Sequence, residues 1–216
     1  MDMSRMKDQL VTAALSHAAF DGWSNAALAG AARDLDFDPT LPARLFPGGP
    51  AEAVAHLVAF ADRAMAADME AHGVKGRNTG DKVFLAIQLR LERWGSHREA
   101  IRRATSLLSL PRNLGLAVRL TWATADAIWR ASGDLSHDFS WYTRRATLAA
   151  VYSATLLYWL DDGSEGAADT WAFLRRRLAE IGSLPRLGER LAGLVGGVKA
   201  PARRWGVPGR SSAPGG

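Results

Sequence analysis

The chain has 216 residues, 48% of them hydrophobic, which is enough for one domain with a full apolar core. It has no cysteine, which excludes disulfides and thiolate chemistry, and no apolar run of the roughly eighteen residues a membrane span needs. The net charge of +5 invites a nucleic-acid reading, but residues 1–72 hold 5 basic and 10 acidic residues, whereas residues 73–216 hold 22 and 12. The basic character therefore lies away from the N-terminal end.

Helical signals dominate in chain order. Met6, Leu10, Ala13, Ala14 and His17 share one face of a first helix over 6–20. "DGWS" is a turn, and Ser24 caps a short helix over 25–35. Asp38 followed by Pro39 opens a third short helix that runs to about Phe46, and "PGGP" ends it before a longer helix to about Ala71. Beyond the loop "HGVKGRNTG", helices are expected over 80–94 and 97–110, the latter with Ser96 and Glu99 as a capping box. Further helices follow at 114–132, 139–160 (capped by Asp138), 167–181 and, more weakly, 184–199. The segment "PARRWGVPGRSSAPGG", residues 201–216, reads as a disordered tail. The fold class expected is all-α with about ten helices.

The first four helices and their turns are spaced like the DNA-binding end of TetR-type regulators, where a short third helix enters the major groove. The chemistry opposes that use. The approach to the third helix carries Asp34, Asp36 and Asp38, the helix offers only Arg44, and Pro42 sits within it. Groove binding draws most of its affinity from cations on phosphate. No nucleic-acid partner is expected.

The segments "FDGWSNAALAGAARDL", "ARLFPGGPAEAV", "HREAIRRATSLLSLPRN", "GDLSHDFSWYTRRATLAAVYSATLLYWLDD" and "TWAFLRRRL" occur in order over about residues 8–182. Together they resemble the ubiquinone (coenzyme Q) biosynthesis accessory proteins, the ninth family of the Coq series. His137 and Ser140 depart from the familiar pattern, and so does the C-terminal segment. The resemblance implies a TetR-like homodimer without DNA binding or cofactor, holding an isoprenoid, quinone precursor or phospholipid. It also implies assistance to the di-iron hydroxylase of demethoxyubiquinone. The organisation expected is a helix-turn-helix-like unit over 1–72, a lipid-binding and dimerisation part over 73–182, and a basic amphipathic helix with its tail over 183–216. The two long helices 139–160 and 167–181 would build the dimer, with Leu148, Tyr152, Leu156, Trp171 and Leu174 as its core.

Read by themselves, the residues mark three sites. Trp141 and Tyr142 are adjacent, so they point about 100° apart on a helix. Either one packs while the other straddles the surface, or they form a partner patch. With the resemblance, a docking site for the hydroxylase is expected at Ile128, Trp129, Asp138, Trp141, Tyr142 and Arg145. A lipid pocket is expected at Leu116, Leu120, Ala123, Ala127, Ala146, Ala150 and Ser153, where small residues either let helices approach closely or leave room for a ligand. Asp126 and Thr124 are the polar residues nearby, and Asp126 suits an ordinary ion pair equally well. Leu187, Leu191, Leu194, Val195 and Val198 form one apolar face, and from residue 183 onward there are 6 basic residues and 1 acidic one. That pattern suits either a helix docked on the body or a membrane surface.

Enzyme chemistry is not expected. The five histidines form no metal-binding motif, and no phosphate loop or nucleophile elbow occurs. With the start "MDMSRMKDQL" lacking a signal-peptide core, the location expected is cytoplasmic, peripherally associated with the inner membrane.

Overall fold

The computed structural model describes residues 2–133 and 140–180, except for the side chains of Ser140 and Trp141. Helix α1 spans Met3–Asp21, and the Asp2 carboxylate caps it by accepting from the Ser4 amide at 3.2 Å. It stops at Gly22, whose φ of 70° suits a residue without Cβ. In the turn that follows, the Trp23 indole donates to the Ala100 carbonyl at 2.9 Å and ties the N-terminal helices to the body. Ser24 caps α2 (Asn25–Asp34) as its sequence position predicts, accepting from Ala27 at 3.1 Å.

Helix α3 is shorter than expected, Leu41–Leu45 only. The Asp38 carboxylate accepts from both the Thr40 amide and hydroxyl at 2.8 Å, so residues 38–40 form a tight turn instead of a first helical turn. Pro42 then falls at the start of the helix, where a missing N–H costs nothing. Helices α4 (Pro50–His72) and α5 (Thr79–Glu92) follow. Before α6 (Arg98–Leu108) a 3₁₀ turn, Gly95–His97, takes the place of the expected capping box. Glu99 instead pairs with Arg103 at 2.9 Å and Arg102 at 3.3 Å.

A second 3₁₀ turn, Pro111–Asn113, leads into α7 (Leu114–Ala131). Helices α8 (Ser140–Asp161) and α9 (168–180) complete the description. The described residues thus hold nine α-helices and no strand, an all-α fold as expected. The predicted helix 184–199 and the apolar face Leu187, Leu191, Leu194, Val195 and Val198 lie outside the described residues, as does Asp138.

Helix α4 occupies the centre, packing on α1, α5 and α7, while α7 also packs along α8. The core runs continuously from Leu10 and Leu15 of α1 through Met65 of α4 and Ile87 of α5 to Ile128, Trp159 and Leu174. Among the described residues no helix is long and apolar enough to cross a membrane.

Candidate functional site

Helices α4 to α8 do not close on one another. They enclose a cavity of about 310 Å³, within the range of small-molecule sites. Its walls are mostly aliphatic: Val54, Leu57 and Ala61 of α4, Ile101, Ala104 and Leu108 of α6, Ala117 and Leu120 of α7, and Leu156 of α8. Of the seven predicted lining residues, Leu120 and Ser153 line it. Leu116, Ala123, Ala127, Ala146 and Ala150 do not. Ala123, Ala146 and Ala150 are exposed on the outer sides of α7 and α8, and Leu116 and Ala127 are half-buried elsewhere. On α8 the expected stripe meets the cavity only at Ser153, because Ala146 and Ala150 face outward. The face that lines the cavity is Tyr152, Ser153, Leu156, Leu157 and Trp159.

The inner end of the cavity is polar but saturated. Arg90, only 6% exposed, donates from Nε to Asp62 at 2.8 Å and from Nη1 to the Tyr152 hydroxyl at 2.5 Å. Its Nη2 lies 3.4 Å from Thr124 Oγ1, which donates in turn to the second Asp62 oxygen at 3.1 Å. The guanidinium also rests 5.1 Å from the centre of the Tyr152 ring. Burial opposes the charge on Arg90, but Tyr152 and Asp62 beside it outweigh burial and hold its pKa above the ordinary arginine value. Burial pushes the Tyr152 phenol up. Arginine stays charged and tyrosine neutral, so neither is poised to move a proton near neutral pH. Sequence reading missed Arg90, although it interrupts the buried stripe Val83, Ala86, Ile87, Leu91 of α5. An arginine at a core position was the available signal.

The opposite end is open. Ser109, Leu114 and Leu157 line the cavity and are also exposed, Leu114 at 50% and Leu157 at 55%. The far end of α8 is held by α6: Arg98 donates to the Asp162 carbonyl, and Arg102 donates to the Leu160 carbonyl and pairs with Asp161 at 2.6 Å. Asp162 then organises the turn into α9, accepting from the Ser164 amide at 2.8 Å and from the Thr170 amide and hydroxyl at 2.9 and 2.5 Å. Burial raises the Asp162 pKa, but these hydrogen bonds from Ser164 and Thr170 together prevail and hold it well below the ordinary carboxylate range.

The predicted docking residues separate into inner and outer members. Ile128 is fully buried, and Arg145 is buried with its Nε 2.6 Å from Asp126, which also pairs with Arg130. These two fasten the start of α8 to α7, and a partner would meet only what they position. Asp126 is thus an ion-pair residue, away from the cavity. Tyr142 is 64% exposed and lies 6.3 Å, ring to ring, from Trp122. Trp129 is half-buried, donates to the Arg144 carbonyl at 3.3 Å, and has the Arg144 guanidinium 6.0 Å from its ring.

The residues expected to form a dimer core also lie inward: Leu148, Tyr152, Trp171 and Leu174 are buried within the chain, and Leu156 lines the cavity. The outward residues of α8 include Ala146, Ala150 and Ala154, and Tyr158 stacks on the half-buried Phe173 of α9 at 4.9 Å. Among the described residues no group of three His, Asp or Glu is placed to hold a metal.

Known proteins resemble this arrangement at two levels. A crystal structure of a TetR transcriptional regulator from Nitrosomonas europaea superposes with a TM-score of 0.64 over 82% of this chain and 97% of that one, at 22% identity. That likeness concerns the fold alone. The family model COQ9 matches residues 114–185. The ubiquinone biosynthesis protein COQ9-A, mitochondrial, of Xenopus laevis is 34% identical over 183 residues, 82% of this chain and 57% of its own length. The corresponding COQ9 protein of Homo sapiens is 32% identical over 81% of this chain and 57% of its own length. The chain therefore spans somewhat more than half of these relatives. The family model covers α7 to α9, and with the COQ9 relatives that align over about four-fifths of its length the chain belongs to the COQ9 family.

Proposed function

We propose that this chain is a non-catalytic accessory protein of ubiquinone biosynthesis. It holds an isoprenoid, quinone-like or other apolar lipid in the α4–α8 cavity and presents it to the di-iron hydroxylase of demethoxyubiquinone. The observation that carries this reading is a cavity with aliphatic walls, a self-satisfied polar end and an open apolar end. An uncharged, chain-like molecule gains burial there without leaving any protein charge unpaired. The names of the relatives supply the pathway. The aromatic and arginine surface at the α7–α8 junction, with Tyr142 exposed, has the composition of an interface anchor, which supports docking of the hydroxylase there. A homodimer is placed on the outward face of α8 and α9, with Ala146, Ala150 and Tyr158 in contact.

Native mass spectrometry of the purified chain, followed by extraction and identification of the released lipid, tests the central claim. The expected result is a bound neutral lipid, lost in Leu120→Trp, which fills the cavity with an indole. A chain that purifies empty and takes up no short-chain quinone overturns it.

The helix-turn-helix-like spacing of the first four helices leaves one other reading, a ligand-responsive transcription factor. Helix α3, five residues long with Arg44 as its only cation, argues against it. Duplex-DNA binding that weakens steeply with salt would replace the accessory reading.

A further inference from the structure

The open end of the cavity continues onto an unusual surface. Leu110 (39% exposed), Leu114 and Val118 (69%) are spaced four residues apart across the Pro111–Asn113 turn and the first turns of α7. Leu114 belongs to both the surface and the cavity. Isolated exposed leucines are ordinary, but a row of them that runs into an apolar cavity is a continuous apolar path from inside to outside. Arg112 and Arg119 stand exposed beside the row, and among the described residues neither forms an ion pair. The segment 100–125 contains Arg102, Arg103, Arg112 and Arg119 and not one acidic residue.

We propose that this α6–α7 corner is a docking surface for an anionic lipid bilayer and the portal of the cavity. The three aliphatic side chains sit at the boundary between headgroups and acyl chains, and the arginines meet lipid phosphates. An apolar molecule then passes between bilayer and cavity along Leu114 and Leu157 without crossing water, where each exposed CH₂ would be unfavourable. This surface is built from residues 110–119, whereas the apolar face that the sequence marks for membranes is written in residues 187–198. The portal role rests on the lipid-holding reading above; the docking surface itself does not.

The absence of cysteine makes a direct test available. Val118→Cys, carrying an environment-sensitive fluorophore, is mixed with vesicles of phosphatidylglycerol and phosphatidylcholine and compared with Lys75→Cys on the α4–α5 loop. The expected result is a several-fold rise in emission at position 118 with the anionic vesicles, none with pure phosphatidylcholine, and none at position 75. Reversing both arginines, Arg112→Glu with Arg119→Glu, should weaken vesicle partitioning by at least about tenfold. The proposal is overturned if the label at 118 stays in water while the protein sediments with vesicles. Two further results overturn it: no sedimentation at all, or a label that responds to protein concentration without vesicles, which would make the face a contact between copies. A chain that docks at 118 but purifies without lipid and takes up no short-chain quinone overturns the lipid-holding reading and the portal role with it, and leaves the docking surface standing.

Discussion

The two ends of one cavity obey opposite rules. At the inner end a charged arginine is buried, and its donors to Asp62, Tyr152 and Thr124 are satisfied within the protein. At the outer end aliphatic side chains stand in solvent, where they contribute little to the fold. The difference separates what the fold requires from what it merely carries. A buried ion pair with one partner missing is strongly destabilising, because the remaining charge is stranded in a low dielectric. An exposed leucine can be removed at almost no expense to stability, so its presence at the mouth asks for another explanation.

Breaking the inner end gives the largest effect. Arg90→Ala should cost about 3–5 kcal/mol of unfolding free energy, measured by chemical denaturation, because it strands the Asp62 carboxylate. Replacing both partners, Arg90→Met with Asp62→Leu, should recover most of that loss. If the single variant is as stable as the parent, the inner network is not what holds α4, α5 and α8 together.

The Asp162 turn is next. Asp162→Ala should cost about 1–2 kcal/mol at neutral pH, since it removes the acceptor for Ser164 and Thr170 ahead of α9. Because the native pKa is depressed, the parent's contribution is complete above the unfolded value near pH 4 and is lost as pH falls below it. The gap between parent and variant should therefore narrow on acidification in denaturation curves collected from pH 6 to pH 3. A constant gap would sever the link between this turn and its carboxylate.

Within the cavity, Leu120→Trp should change stability by no more than about 1–3 kcal/mol of overpacking and yet abolish retention of an apolar ligand, followed by fluorescence displacement. Equal ligand retention would place the site elsewhere. The smallest effect belongs to the mouth. Leu110→Ser with Val118→Ser should stay within about 0.5 kcal/mol of the parent in the same denaturation experiment. A large loss there would show that the corner is packed, and would erase the contrast between the two ends.

Much of the architecture could be read from the chain. Short-range chemistry marks helix boundaries: Ser24 caps α2 as its position predicts, and Gly22 ends α1. Where two local signals compete, the reading failed. Asp38 turns back onto Thr40 instead of capping, and Ser96 is absorbed into a 3₁₀ turn. The cavity was half legible. Helices α7 and α8 were identified as its walls, and Leu120 and Ser153 among its residues, but the contributions of α4, α5 and α6 were not. On α8 both an alanine stripe and a Tyr152, Leu156, Trp159 stripe have helical spacing, and spacing alone does not say which one faces inward.

The sequence by itself determined the helical class, the order of the helices and the weak DNA-binding chemistry of α3, because capping, turn residues and the balance of Asp against Arg act over a few neighbouring positions. Only the tertiary structure decided which residues share a site. Asp62, Arg90, Thr124 and Tyr152 come from four helices and up to 90 positions apart in the chain, and their meeting depends on how those helices rotate about their own axes. That rotation is set by the packing of the whole core. It is also what turns Leu148 and Trp171 inward and leaves Leu110, Leu114 and Val118 in the open.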